Sequence, residues 1–169
     1  MKCEAEFLVE DLAATLAAAG ELGALLQPGD CVELVGELGA GKTTFTKGIG
    51  AARGIPPLKI ASPSFTLVHS YRDAHGGTLL HADGFRLRGA VEADGLGLDE
   101  SAGSILVVEW AGPLLHVLPR DRLRVSIAQA EAPGARHLIA SAWDERGQAL
   151  LADWMEMLSE KTGVVRIRD

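Results

Sequence analysis

The stretch from Glu33 to Gly48, "ELVGELGAGKTTFTKG", constrains the fold more than any other part of the chain. Within it, Gly36, Gly41, Lys42 and Thr43 match every fixed position of the Walker A pattern G-x-x-x-x-G-K-[ST]. The apolar run "CVELV" leads into the pattern, and a run typical of a helix follows it. The sequence therefore predicts a strand, a phosphate-binding loop (P-loop) and a helix in succession.

The residue types in this loop suit phosphate for physical reasons. Glycines let successive backbone N–H groups turn inward around anionic oxygens, and the following helix adds its positive N-terminal end. Lys42 is expected to reach the β- and γ-phosphates, and Thr43 to supply a hydroxyl group to Mg²⁺. The alternative is a glycine turn that happens to carry Lys-Thr, but the strand before it and the helix after it favour phosphate binding.

A nucleotide site of this kind also needs a carboxylate from a neighbouring strand, because Lys42 and Thr43 cannot complete a metal shell. Glu109 ends the apolar run "ILVVE", which is typical of a central parallel strand, and Asp83 ends the weaker run "TLLHAD". Either acid could be a surface carboxylate at the end of a strand, but the P-loop favours Glu109. Trp110 follows Glu109 directly and fits either a core position or the rim of a pocket.

Composition indicates one domain and excludes several classes of protein. The chain has 169 residues, of which 47% are apolar, so we expect one P-loop domain over residues 1–162 and a short C-terminal tail, 163–169. Acidic residues near the N-terminus argue against a signal peptide, and no apolar run approaches the roughly 18 residues of a membrane span. With only two cysteines, Cys3 and Cys31, the chain is expected to be cytoplasmic. A net charge of −7 argues against strong direct binding to nucleic acid.

Strand and helix patterns alternate along the chain and predict an α/β fold, a single P-loop NTPase-like domain with a mixed β-sheet flanked by helices. Seven strands are expected, in "AEFLVED", "CVELV", "FTLVHSY", "GTLLHAD", "SILVVEW", "RLRVSIAQ" and "RHLIASAW". Helices are expected in "LAATLAAAGELGALL", from Lys42 to about Arg53, and in "GQALLADWMEMLSE".

The choice among P-loop classes is narrowed by what the chain lacks. A GTPase should carry an N-K-x-D motif that reads guanine, and this sequence contains no asparagine. A small-molecule kinase would use arginines on a mobile lid, for which "FRLRG" or "PRDRLR" could serve, although surface charge explains the second run better. A nucleotide-binding regulatory module that never hydrolyses its ligand also remains open.

Four blocks in order, "GELGAGKTTFTKG", "SPSFTLVHSY", "LHADGFRL" and "VVEW", resemble the bacterial TsaE family, the ATPase of tRNA threonylcarbamoyladenosine biosynthesis. The sequence departs from that family's pattern at several positions. Ser64 stands in place of Thr, Gly84 in place of an apolar residue, Phe85 in place of Tyr and Ala111 in place of Pro. We expect Gly84 to loosen the backbone beside Asp83.

The resemblance implies roles for individual residues. Lys42, Asp83 and Glu109 would be catalytic, with Asp83 near the γ-phosphate, and Thr43 and Glu109 would bind Mg²⁺. The residues implied to bind ATP are Gly36, Glu37, Leu38, Gly39, Ala40, Gly41, Lys42, Thr43, Thr44, Trp110 and Thr15. Arg136 corresponds only loosely to a family arginine and receives no role.

The resemblance also implies a function and partners. Members of this family hydrolyse ATP with Mg²⁺ and support the proteins TsaD and TsaB, which transfer threonylcarbamoyl to an adenosine of tRNA. An acidic ATPase of this kind need not bind tRNA itself. The expectation is therefore an ATPase that is slow alone and coupled to protein partners.

Overall fold

Eight strands form one mixed sheet in the part of the chain that this computed structural model describes, residues 1–100 and 102–168. In chain order the strands are β1 (Cys3–Val9), β2 (Cys31–Val35), β3 (Val68–Arg72), β4 (Thr78–Asp83), β5 (Ile105–Glu109), β6 (Leu123–Gln129), β7 (Arg136–Ala142) and β8 (Val164–Arg168). The helices are α1 (Leu12–Leu25), α2 (Lys42–Ala52), the short α3 (Ala90–Asp94) and α4 (Glu145–Leu158). Short 3₁₀ turns span Pro57–Lys59, Leu98–Glu100 and Gly112–Leu114.

The order of strands across the sheet is β3-β4-β5-β2-β6-β7-β1-β8. The four neighbours β4, β5, β2 and β6 run parallel, and the remaining pairs are antiparallel. The predicted α/β fold with a mixed sheet is therefore confirmed. Because the carboxyl ends of parallel strands meet at one edge, the P-loop after β2 and the ends of β4 and β5 lie side by side.

Burial explains why the strands differ in composition. All five residues of β5 are buried, as expected for a parallel strand in the middle of a sheet, and this accounts for its continuous apolar run. In β1, by contrast, Ala5, Phe7 and Val9 are buried while the residues between them are more exposed. The face of β1 that these three residues occupy packs toward the main hydrophobic core.

Trp154 on α4 lies at the centre of that core. Its side chain is fully buried and its indole Nε1 donates a hydrogen bond to the Ala18 carbonyl oxygen over 2.8 Å. The rings of Phe7 and Phe45 lie 5.8 and 6.1 Å from it. Aromatic packing of this kind joins α1, α2, α4 and the sheet into one core.

The last strand corrects the sequence analysis, which treated residues 163–169 as a short tail. Within that segment β8 pairs antiparallel with β1, and the Glu10 N–H donates to the Gly163 carbonyl oxygen over 2.9 Å. The alternation of Val165 and Ile167 with arginine was a signal for a strand.

The first strand begins and ends two residues earlier than predicted. It cannot extend to Asp11, because Asp11 caps α1 by accepting a hydrogen bond from the Ala14 N–H. Within the described residues, no helix is long and apolar enough to cross a lipid bilayer.

An ion pair between Arg53 and Asp73 ties the end of α2 to the β3–β4 turn. Arg53 donates to one carboxylate oxygen of Asp73 over 2.9 and 2.6 Å, and to the carbonyl oxygens of Gly23 and Leu26. Burial raises the pKa of Asp73, but hydrogen bonds from Arg53 and from backbone N–H groups outweigh it, so the net pKa lies below its ordinary value of 3.8.

Replacing Asp73 by alanine should lower the free energy of unfolding by about 3 kcal/mol at pH 7, because it leaves the largely buried guanidinium group of Arg53 without its carboxylate partner. A lowered folded-state pKa means that this stabilisation is present above the unfolded value of about 3.9 and is lost as pH falls through the folded value. The gap between wild type and variant in urea unfolding should therefore narrow below pH 4. The control Asp94→Ala removes an exposed pair with His116 and should change stability by less than about 1 kcal/mol.

Candidate functional site

A cavity of about 320 Å³ opens at the edge of the sheet where β2, β4 and β5 end. It brings together most of the residues that the sequence analysis assigned to a site, namely Leu38, Gly39, Gly41, Lys42, Thr43, Thr44, Asp83, Glu109 and Trp110. Ser62, Ser64 and Phe85 complete its lining, and none of these three had been assigned a role. The parallel pairing of the strands thus assembles segments that are far apart in the sequence.

The loop between β2 and α2 requires glycine at its fixed positions. Gly41 has φ = +114° immediately before the first residue of α2, a conformation that side chains with a Cβ rarely adopt. A Cβ on Gly36 would lie 2.5 Å from the Ile127 carbonyl oxygen on β6. Gly41 therefore allows a left-handed backbone conformation, and Gly36 allows the loop to pass close to β6.

Lys42 projects from the first turn of α2 back into this loop. Its Nζ donates hydrogen bonds to the carbonyl oxygens of Gly36 and Glu37 over 2.7 and 2.9 Å, and lies 4.9 Å from the centre of the Trp110 ring. The residue is only 6% exposed. A nearly buried ammonium group held by carbonyl dipoles and an aromatic face is a strong local attractor for anions.

Glu109 lies beside the start of α2, at the end of β5. Its Oε1 accepts a hydrogen bond from His81 Nε2 over 2.7 Å and lies 3.5 Å from Thr43 Oγ1. His81 is completely buried, and its other ring nitrogen, Nδ1, has no hydrogen-bond partner among the described residues. An unpaired buried polar atom of this kind costs about 1–3 kcal/mol.

Asp83 ends β4 and is paired in register with Glu109 on β5. Its two carboxylate oxygens have separate partners, since Oδ1 accepts from the Phe85 N–H over 2.7 Å and Oδ2 from Ser64 Oγ over 3.3 Å. Ser64 Oγ in turn lies 2.7 Å from Ser62 Oγ. The two hydroxyls line the cavity and connect Asp83 to the segment before β3.

Gly84 does not loosen this region, contrary to the expectation from sequence. A Cβ at Gly84 would overlap the Trp110 carbonyl oxygen, and the Gly84 N–H donates to the Glu109 carbonyl oxygen over 3.0 Å. Trp110 itself has φ = +51°, unusual for a residue other than glycine, and its ring packs 5.0 Å from that of Phe85. The glycine is thus a close-packing residue that lets the chain after β5 turn tightly against the end of β4.

The cavity lining does not include the remaining residues assigned from sequence, Gly36, Glu37, Ala40 and Thr15. Ala40 uses its carbonyl oxygen to accept a hydrogen bond from Arg136 Nε over 2.7 Å, so the arginine that received no role is attached to the loop. Thr15 is buried on α1, where its hydroxyl donates to the Asp11 carbonyl oxygen over 3.0 Å. Thr15 does not line the cavity, so the ATP-binding role that the resemblance implies for it finds no support in this geometry.

The donor set of the cavity fits a hard divalent cation that completes its shell from a ligand. Glu109 and Asp83 are both buried, and among the described residues neither forms an ion pair with Lys or Arg. The described part of the chain holds no group of three or more His, Cys, Asp or Glu side chains arranged to bind a metal. Mg²⁺ in proteins usually has one or two oxygen ligands from side chains, and phosphate and water supply the other ligands. The Glu109 carboxylate and the Thr43 hydroxyl fit that pattern.

The variant Gly84→Ala should distort this edge of the sheet, because its new methyl group would overlap the Trp110 carbonyl oxygen. We expect the free energy of unfolding to fall by about 1–3 kcal/mol, measured by thermal unfolding. Gly112→Ala is the matched control, since a Cβ there meets no atom within 4 Å. Equal effects of the two substitutions, or none from the first, would contradict the close packing of Gly84 and Trp110.

Comparison with known proteins adds independent information. The model of the family described as "Threonylcarbamoyl adenosine biosynthesis protein TsaE" matches residues 9–138. The chain is 40% identical over 131 residues to the tRNA threonylcarbamoyladenosine biosynthesis protein TsaE of Streptomyces coelicolor, covering 74% of this chain and 88% of that protein. The protein of the same name from Bacillus subtilis is 41% identical over 118 residues, 69% of this chain and 72% of the relative.

A solved structure is similar over nearly the whole length. The crystal structure of Bacillus subtilis YdiB aligns with a TM-score of 0.75 and 31% identity, covering 93% of this chain and 97% of the other. The similarity in structure therefore extends beyond the residues matched by the family model, into the C-terminal part of the chain.

Proposed function

The chain belongs to the TsaE family, and from that premise we propose that it is a Mg²⁺-dependent ATPase acting in the biosynthesis of threonylcarbamoyladenosine in tRNA. The observation that carries the proposal is that the P-loop lysine and the Glu109–Thr43 pair line one cavity. A buried cation beside a buried carboxylate and a half-buried hydroxyl group suits a phosphate chain with its metal ion. The fold supports this reading, because P-loop sites lie at the carboxyl ends of parallel strands.

Four side chains of the cavity, together with the backbone of the loop, then have chemical roles in hydrolysis. The backbone N–H groups of the loop and the ammonium group of Lys42 would bind the β- and γ-phosphates, and Thr43 and Glu109 would hold Mg²⁺. Bound Mg²⁺ neutralises charge on the phosphate oxygens. Asp83 would orient the attacking water, whose oxygen bonds to the γ-phosphorus as the bond to the bridging oxygen breaks, giving ADP and inorganic phosphate.

ATP is the proposed nucleotide. Nothing in the chain corresponds to the N-K-x-D motif that selects guanine, since asparagine is absent from the sequence. The Trp110–Phe85 pair adds an aromatic wall to the cavity. Such a wall favours packing against a ligand without distinguishing one purine from another.

The proposed partners are the proteins TsaD and TsaB, as the family resemblance implies. The net charge of −7 favours protein partners over a tRNA held by this chain alone. Two exposed apolar side chains line the cavity, Leu38 and Phe85, which are exposed by 84% and 56%. Phe65 follows the lining residue Ser64 in sequence and is exposed by 84%. Exposed apolar surface beside a cavity is typical of protein interaction sites.

A regulatory module that binds ATP without hydrolysing it is the second candidate. The observation that favours it is that both oxygens of Asp83 already accept hydrogen bonds from the protein, from Ser64 and from the Phe85 N–H. An acid engaged in this way is suited to sensing the state of the segment before β3. Multiple-turnover hydrolysis distinguishes the two candidates, because only an ATPase releases more than one phosphate per protein molecule.

Lys42→Ala should lower multiple-turnover ATP hydrolysis by at least about 100-fold, since the charge it removes acts mainly on the transition state. The measurement is phosphate release with and without the TsaD and TsaB proteins. Lys47→Ala is the matched control, because Lys47 also lies on α2 but does not line the cavity. Near-normal turnover in the Lys42 variant would exclude this cavity as the site of hydrolysis.

A further inference from the structure

We propose that His81 is a positioning residue, which holds the Glu109 carboxylate beside Thr43 in the orientation that binds Mg²⁺. The inference rests on the function proposed above and deepens it, because it assigns a role to a residue that the nucleotide does not touch. His81 is completely buried beneath the cavity and does not line it. Its effect must therefore act through Glu109.

The register of β4 and β5 brings the two side chains together. The strands are parallel, with His81 opposite Val107 and Asp83 opposite Glu109. Because side chains alternate along a strand, His81 and Asp83 lie on the same face of β4, with His81 one step further from the cavity. His81 thus approaches Glu109 from the interior of the protein, and the open side of the carboxylate is left toward the cavity.

The direction of the hydrogen bond follows from chemistry. An ionised carboxylate has only acceptors, so the contact of 2.7 Å between Nε2 and Glu109 Oε1 requires a hydrogen on Nε2. The same Oε1 lies 3.5 Å from Thr43 Oγ1. One N–H group therefore fixes the oxygen that sits next to the other expected metal ligand.

Packing alone does not explain a histidine at this position. The neighbouring residue on the same face of β4, Leu79, is fully buried and apolar, and an apolar side chain at position 81 would avoid burying the unpartnered Nδ1. The only hydrogen bond that the structure gives the His81 ring, within the described residues, is the one to Glu109. Burial of the ring leaves Nδ1 without a partner among the described residues, while Nε2 provides one oriented donor to Glu109.

Two amide variants separate orientation from packing. In His81→Gln the amide nitrogen can reach about as far as Nε2, whereas in His81→Asn it reaches only about as far as Nδ1. The measurement is binding of a fluorescent ATP analogue during a Mg²⁺ titration, repeated in EDTA. The Asn variant should need at least about 10-fold more Mg²⁺ for half-saturation, with metal-free nucleotide affinity unchanged within twofold. The Gln variant should stay within about threefold of wild type.

Leu79→Ala provides the control for packing, because it removes buried side-chain volume from the same face of β4 without removing a donor to Glu109. It should lower the melting temperature and leave the Mg²⁺ half-saturation unchanged. Equal Mg²⁺ requirements in the Asn and Gln variants, or a shift in Leu79→Ala as large as in His81→Asn, would overturn the role of His81. If nucleotide binding by the wild-type protein does not depend on Mg²⁺, that result would instead overturn the proposed function.

Discussion

The parallel pairing of β4, β5, β2 and β6 is the constraint on which the site depends. It brings the P-loop after β2 to the same edge as the ends of β4 and β5, so that Asp83 and Glu109 come into register within reach of α2. Close packing then fixes the details, since Gly36 touches β6 and Gly84 touches the chain after β5. A larger residue in place of either glycine would move the charged groups relative to one another.

The site keeps opposite charges close without neutralising them directly. Lys42 is held by carbonyl oxygens and faces the Trp110 ring, while Glu109 is held by His81 and Asp83 by a hydroxyl and a backbone N–H. Each charged group is thus oriented by carbonyl oxygens, a hydroxyl group, a backbone N–H group or an imidazole ring and, within the described part of the chain, not by an oppositely charged carboxylate, ammonium or guanidinium group. Charges oriented in advance in a cavity with buried walls interact strongly with a ligand that matches them, which suits a phosphate chain accompanied by Mg²⁺.

Local patterns in the sequence predicted the P-loop, the buried strand β5 and the family, because each depends on neighbouring residues or on fixed motifs. Contacts between distant segments could not be predicted, among them His81 with Glu109 and Arg136 with Ala40. The strand β8 carries a short alternating pattern, but only the fold shows that it pairs with β1 at the other end of the chain. Gly84 was misjudged for a similar reason, since only the fold reveals that Trp110 packs against it.

The most direct test of a nucleotide site in this cavity is the fluorescence of Trp110 during titration with ATP and Mg²⁺. Trp154 cannot be replaced without disturbing the core, so the signal is isolated by comparing wild type with Trp110→Phe and with Trp143→Phe, a half-exposed residue beside Arg124. We expect a saturable change in emission in wild type and in Trp143→Phe, and its loss in Trp110→Phe. A change that persists undiminished in Trp110→Phe, or no change in any of the three proteins, would contradict nucleotide binding against Trp110.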